Sequence, residues 1–308
     1  MTGLCYIGDI KSQKVTTVKK IRILVLLLAV AALLAACGTH AEEPVEETTL
    51  PVETTLPPET SEPTEPPTEP PVEEVAREMI RRGEYQEAFD LLETAERNPE
   101  TEHLRMRAMM GDVQVGQEIR LGHYEQDNIE ANGAEEIAWV VLTVEDDKAL
   151  LVSLSCLDTQ PYYEEIDIRT TWAECTVRTW LNEEFLSKAF DETELEFLLE
   201  TELVNADNPV YGTPGGENTL DRVFLLSLDE AYTYLTDELR CAPVTAYAVA
   251  QGCYISYHGT GWWWLRSPGV YTRDAAYIDA LGEISEYGYI IYRKSWALRP
   301  ALWIDLSI

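Results

Sequence analysis

The sequence predicts an α+β domain over residues 113–308, and three observations carry that prediction. Two apolar runs, Trp139-Val140-Val141-Leu142 and Ala149-Leu150-Leu151-Val152, flank Glu145-Asp146-Asp147 and read as a β-hairpin. Apolar residues then recur at helical spacing between Cys175 and Leu203. After about residue 240 the chain returns to short strand-like runs broken by Gly, Pro and Asp. Helices segregated from antiparallel strands define the class, and the 196 residues of this stretch suffice for one core.

Taken in order, Val113 to Tyr124 and Ile137 to Ser155 read as strands. Cys175 to Leu203 reads as helical, with Trp180, Leu181, Phe185, Phe190, Leu195, Leu198 and Leu199 as its apolar face and Asp191-Glu192 starting a second helix. Asn205 to Leu220 is a polar loop rich in Pro and Gly. Val223 to Leu228 is an apolar strand, and Leu228 to Leu239 a third helix opened by Asp229.

The preceding residues divide by composition. Lys19, Lys20 and Arg22 precede an apolar run, Ile23 to Leu34, which ends in Leu34-Ala35-Ala36-Cys37. This is signal-peptide logic, and its ending resembles the bacterial lipobox. The resemblance implies removal of residues 1–36, diacylglycerol on the Cys37 thiol, and anchorage on the extracellular side of the bacterial cytoplasmic membrane. A true start near Val15 would shorten the unusually long leader. Residues 37–74 follow as a stalk; Ala41 to Glu74 contains 11 Glu, 9 Pro and 7 Thr in 34 residues, without Lys or Arg. Such a segment buries too little apolar surface to offset its ordering entropy, so a disordered linker is expected, with a reach at most on the order of 100 Å if fully extended as polyproline II. Residues 75–112 regain helical spacing through Val75, Met79, Ala88, Leu91, Leu92 and Ala95, with breaks at Gly83 and Asn98-Pro99. Arg82 to Ala88 resembles half of a tetratricopeptide-type repeat, which implies a short helical hairpin; lacking neighbours to stack on, it is expected to pack as a collar on the next domain.

Charge narrows the functions. Asp plus Glu number 55 against 23 Lys plus Arg, a net charge of −32. A nucleic-acid binder needs a basic face for phosphates, so this class is excluded as a partner; so is a body lying on anionic lipid. One apolar segment, at the N-terminus, excludes a multi-span channel. The acidity is uneven: residues 113–253 hold 29 acids and 7 bases, whereas 254–308 hold 5 of each. That neutral part carries twelve Tyr and Trp and no Phe. Such rings stack and hydrogen-bond at once, which suits the apolar face of a sugar. The ligand-binding candidates are Trp262, Trp263, Trp264, Arg266, Tyr271, Tyr277, Tyr287 and Tyr289. Half of the twelve rings are expected in the core, Trp296 and Trp303 first among them.

Thr176-Val177-Arg178-Thr179-Trp180-Leu181-Asn182, Asp207-Asn208-Pro209, Val223-Phe224-Leu225-Leu226-Ser227, Thr245-Ala246-Tyr247-Ala248, Trp263-Trp264-Leu265-Arg266-Ser267-Pro268-Gly269 and Arg299-Pro300-Ala301-Leu302-Trp303-Ile304 resemble the DUF6273 family, domains of unknown function in exported bacterial proteins. The resemblance spans about residues 113–308. More loosely, it is similar to the C-type-lectin-like fold of sulfatase-modifying (formylglycine-generating) enzymes, in which a closing Trp–Arg strand completes the core; Ser295-Trp296 and Arg299-Pro300-Ala301 would match it. The oxidase chemistry of those enzymes is not implied, because it needs cysteines near the closing strand and none follows Cys253.

The resulting expectation is a binding module for a glycan or cell-wall component, with an envelope-protein interaction module as the alternative and a hydrolase as the third reading. No HExxH or GxSxG pattern is present. Glu164-Glu165 and Glu183-Glu184 are the carboxylate doublets a hydrolase would use, although adjacent acids usually form a solvated face. No organic cofactor is expected. Asp207, Asn208, Glu217, Asn218 and Asp221 concentrate hard oxygen donors that would suit calcium, and the same residue types also serve ordinary turns. Arg266 and Arg299 sit among apolar residues, as a buried ion pair or carbonyl clamp or as a ligand contact. Cys156, Cys175, Cys241 and Cys253 are read as buried thiols, or as one of three disulfide pairings.

Overall fold

The computed structural model describes residues 70–166 and 168–307. The signal, Cys37 and nearly all of the stalk lie outside the described residues. Among those described, no helix is long and apolar enough to cross a membrane.

The chain enters through three helices rather than a hairpin. Helix α1 (Val72–Arg81) carries Glu73 and Glu74 in its first turn, where the helix dipole favours acids, and Arg81 in its last. Gly83, at φ +76°, turns the chain into α2 (Tyr85–Glu93). Asn98 caps α3 (Pro99–Met110) by accepting from the backbone N–H groups of Glu100 and Thr101, while Thr101 returns a bond to Asn98. Ala76, Ile80, Ala88, Leu92, Leu104 and Ala108 form a small core of their own. Met106 and Met110 belong instead to the core of the main body. The third helix thus supplies the neighbour that a lone hairpin lacks.

The main body is built on two five-stranded sheets. The first has the order β1-β2-β3-β12-β7 and is antiparallel throughout, with β1 Glu118–Tyr124, β2 Glu135–Glu145, β3 Lys148–Ser153, β7 Val223–Phe224 and β12 Ala301–Asp305. The β2–β3 hairpin turns at Asp146, whose φ is +50°, in the predicted place. Ala149 to Val152 are fully buried, as befits a strand covered on both faces. The closing strand β12 lies between β3 and β7, pairing Trp303 with Leu150 and Ala301 with both Val152 and Phe224. The second sheet has the order β10-β9-β8-β11-β4: β4 Asp158–Thr159, β8 Trp263–Pro268, β9 Asp274–Ile278, β10 Ile284–Ile290 and β11 Ala297–Leu298. A ribbon of β5 (Thr201–Leu203) and β6 (Thr219–Asp221) completes the strands.

The predicted helical stretch 175–203 contains helix α4 (Thr176–Trp180), a π-turn over Leu181–Phe185, α5 (Leu186–Ala189) and α6 (Glu192–Phe197), and then enters β5. Asp191 caps α6 reciprocally with Glu194, at the predicted start. Glu194 also accepts from Gly122 N on β1 at 2.8 Å, so one buried carboxylate ties helix to sheet. Strand 223–228 shortens to two residues because Ser227, not Asp229, caps the next helix, α7 (Leu228–Tyr234). The remainder of the expected third helix is α8 (Asp237–Arg240), and α9 (Ala246–Ala250) follows.

Arg299 closes the core as a carbonyl clamp. It is buried; Nε donates to Ser153 O at 2.8 Å and Nη1 to Leu239 O, and its guanidinium lies 4.9 Å from the centroid of Trp263. Burial lowers its pKa to about 10. Cys156, Cys175 and Cys253 are buried free thiols, so no disulfide joins any two of the four cysteines considered above. Burial pushes the Cys175 and Cys253 thiols up to about 12, which leaves them unreactive at neutral pH.

Candidate functional site

The sheet separates the predicted aromatic residues into three environments. Trp263 and Trp264 are fully buried, one on each side of β8, and their indole N–H groups donate to Arg240 O at 3.1 Å and Gln160 O at 3.3 Å. Central strands are covered on both faces, so alternation brings neither ring to solvent. Their assignment as ligand contacts is therefore corrected: they are core. Trp262, Tyr277 and Tyr289 are half-buried around the buried Trp296. Trp262 stacks on Tyr277 with centroids 5.6 Å apart and planes at 11°, and Tyr289 stacks on Trp296 at 5.1 Å. Their faces are largely taken up by one another.

Tyr271 and Tyr287 are exposed, at 54% and 57%. They are joined by Tyr211, 45% exposed, which lies in the polar loop after Asn205 and is not among the sequence candidates. Tyr211 meets Tyr287 edge to face at 5.9 Å. Arg273 lies 5.3 Å from the Tyr271 centroid. Tyr287 projects outward because β10 is bulged between Ser285 and Tyr289. Gly288, at φ +76°, permits the bulge; a Cβ there would lie 2.7 Å from Ala275 O and from the Gly269 Cα.

Asn208 holds this face together. It is buried, and its Nδ2 donates to Pro268 O at 2.7 Å and Glu286 O at 2.9 Å. Its Oδ1 accepts from Val210 N at 2.9 Å and Tyr211 N at 3.0 Å. Thr213 Oγ1 adds a bond to Val270 O at 2.9 Å, and Val270 N donates to Tyr287 O at 2.8 Å. The 208–213 loop, the β8–β9 turn and β10 are thereby pinned to one another, and each contributes one exposed tyrosine.

The residues named above as possible calcium donors make other bonds. Asn208 has spent its amide on the loop. Asp221 is buried, and its oxygens accept from Arg178 Nε at 2.6 Å, Trp172 Nε1 at 2.8 Å and Thr219 Oγ1 at 2.8 Å. Asp207 accepts from Gly215 N at 3.1 Å, Asn218 from Asn205 N at 3.3 Å, and Glu217 contributes its backbone carbonyl to Asn205. The bonds so made build a turn and an ion pair. Among the described residues the acids that do converge are Glu125, Asp127 and Glu135, with oxygens all within 4.8 Å of one another. The Asn132 amide, donating at 2.8 Å, keeps the Asp127 carboxyl below its usual range. The doublets Glu164-Glu165 and Glu183-Glu184 are exposed, and Glu184 pairs with Lys188 at 3.4 Å.

Arg266 is 4% exposed and lies at the base of a cleft of about 580 Å³. Its Nη1 donates to Glu230 and, at 3.0 Å, to Leu225 O, and Nη2 donates to Glu230 at 2.9 Å. The ion-pair reading of this arginine therefore holds. Ala206, Asp207 and Pro209 wall the same cleft, so the loop that bears Tyr211 also forms one of its sides. Tyr232, opposite, donates to Glu286 next to Tyr287. Cleft and tyrosine face are contiguous along these two segments.

No curated protein and no solved structure matches this chain. The sequence profile of a family described as a domain of unknown function, DUF6273, matches residues 146–306, more than half of the chain and all of the cleft and tyrosine face. On that match, this chain belongs to the DUF6273 family.

Proposed function

We propose that this protein is a surface lipoprotein, anchored through Cys37 and carried on its acidic proline stalk, whose C-terminal domain binds a glycan or cell-wall component. The observation that carries the reading is the exposed face of Tyr211, Tyr271 and Tyr287, fixed from three segments by the buried Asn208. Backbone segments held in place before a ligand arrives lose little entropy on binding, and a tyrosine presents both an apolar face and a hydroxyl to a sugar. Residues 254–308, which supply Tyr271 and Tyr287, hold five acids and five bases, so this part of the face adds no net repulsion toward anionic wall polymers. A C-type-lectin-like architecture is part of the same proposal. It is supported by a closing strand, β12, that enters the first sheet, and by the buried Trp296 and Arg299 just before it.

The test is a glycan and muropeptide screen on soluble residues 38–308. Tyr211→Ala and Tyr287→Ala should each weaken a saturable hit by about tenfold, the loss of a modest hot-spot contact, with an unchanged melting temperature. An unaffected hit would move the site elsewhere. A blank screen with folded protein would favour the envelope-protein reading, to which the exposed Val210 beside Tyr211 also lends itself. N-terminal mass spectrometry of the membrane-extracted protein tests the anchor: a lipidated Cys37 is expected, and an unmodified mature N-terminus elsewhere overturns it.

A further inference from the structure

The cleft above Arg266 has a chemistry that the tyrosine face lacks. Its volume, about 580 Å³, is that of a small-molecule site. Leu203, Val204, Pro209, Leu228 and Trp303 supply apolar wall. Glu202, Asp207 and Asp229 are exposed along it. Two cations also line the cleft, and both are already neutralised. Arg266 is doubly bonded to Glu230. Lys148 lies 3.6 Å from Glu145, outside the cleft, and rests 4.2 Å above the Trp303 ring. Three carboxylates therefore remain without a cationic partner in the cleft; Asp229 makes no hydrogen bond or ion pair among the described residues. Leu203, Leu228 and Trp303 form the buried part of this wall and Val204 and Pro209 its exposed part, and the uncompensated negative charge beside it repels anions. A neutral hydrocarbon would leave the carboxylates unanswered. An ammonium on an aliphatic chain satisfies both.

We propose that this cleft binds a small aliphatic diamine or polyamine. The methylene chain lies against Val204, Leu203 and Pro209, and the ammonium groups take the carboxylates of Asp229, Glu202 and Asp207. The site is preformed: Ser227 caps α7 beside it, Leu228 N donates to Ser267 Oγ at 2.9 Å, and the Arg266–Glu230 pair fixes its base. The binding reading of the tyrosine face is independent of this one, because neither Tyr211 nor Tyr287 is among the residues lining the cleft.

The test is calorimetry on the full-length chain in detergent, with 1,5-diaminopentane as probe and hexane-1,6-diol as its neutral counterpart. A saturable one-to-one isotherm is expected for the diamine and none for the diol. Val204 is 64% exposed, so Val204→Lys is compatible with the fold; it places a cation and four methylenes in the cleft and should weaken diamine binding at least tenfold with an unchanged melting temperature. Ile129→Lys makes the same charge change at a 54% exposed position outside the cleft and should leave the affinity within twofold. Equal loss in both variants would mean that the net charge of −32, not the cleft, collects the amine, and would overturn the proposal. So would the absence of a saturable isotherm, or binding of the diol as tight as that of the diamine.

Discussion

Replacing Asn208 by Ala removes four hydrogen bonds at once: two donated to Pro268 O and Glu286 O and two accepted from Val210 N and Tyr211 N, all between 2.7 and 3.0 Å. A buried hydrogen bond contributes about 1 kcal/mol net, and a buried partner left unsatisfied costs about 1–3 kcal/mol. The N–H groups of Val210 and Tyr211 belong to exposed residues and can turn to water. The Pro268 carbonyl belongs to a buried residue on β8 and cannot do so without opening the loop. The sum is therefore about 3 kcal/mol, or roughly 6–12 °C of melting temperature for a domain of this size. Urea denaturation measures the global cost, and hydrogen exchange at Asn208 N and Gly212 N, which bond within the loop, measures local opening. Asn208→Asp sharpens the argument. The carboxylate keeps the acceptor for Val210 and Tyr211 but turns an anionic oxygen toward two carbonyls, so it should destabilise at least as much as Ala near neutrality and recover on acidification. A global cost under about 1 kcal/mol with unchanged exchange would refute the claim that Asn208 holds the face.

Two further outcomes follow from buried charge. Burial raises the carboxyl of Glu194 above its ordinary 4.5, against the bonds it accepts from Asp191 and Gly122, and likewise that of Asp158. A carboxyl raised on folding stabilises the fold where it is protonated and loses that contribution as pH rises through its folded value. Wild type should accordingly gain stability relative to Glu194→Gln as pH falls from neutrality toward about 4.5, and a pH-independent difference between the two melting curves would contradict this. Arg299→Ala strands the carbonyls of Ser153 and Leu239 and empties the space beneath Trp263, so it should cost at least about 3 kcal/mol by chemical denaturation, whereas a cost under 1 kcal/mol would show that the clamp is dispensable.

Local signals located the elements whose causes are local. The β2–β3 hairpin follows from its acidic turn, α6 from Asp191 and Glu194, and the α2–α3 junction from Asn98-Pro99. The sequence misplaced what depends on partners far along the chain. Strand 223–228 ends after two residues because Ser227 is the better cap, and its hydroxyl reaches Glu230 N in a reciprocal box. The third entry helix was invisible as such because its apolar residues serve two cores, Leu104 and Ala108 one and Met106 and Met110 the other, which blurs a single helical stripe.

The candidate site shows the same division at the level of single side chains. Twelve rings in a neutral segment marked the right part of the chain, but composition carries no information on which way a ring points. In Trp262-Trp263-Trp264, alternation on a strand predicts that one or two of the three rings are buried, and two are, because this strand has a sheet neighbour on each side; the sequence does not say which two. The exposed rings instead sit where the ladder is broken: Tyr287 before the bulge glycine Gly288, Tyr271 in the β8–β9 turn, and Tyr211 on a loop that no strand passes through. The signal that could have found them was Asn208, which the sequence offers both as a possible calcium donor, with Asp207, Glu217, Asn218 and Asp221, and as ordinary turn chemistry. An amide has two donors as well as an acceptor, and a calcium ion would use only the acceptor. In this fold all of that capacity is spent on backbone, so the residue that looked like a ligand of a metal is the brace of an aromatic surface.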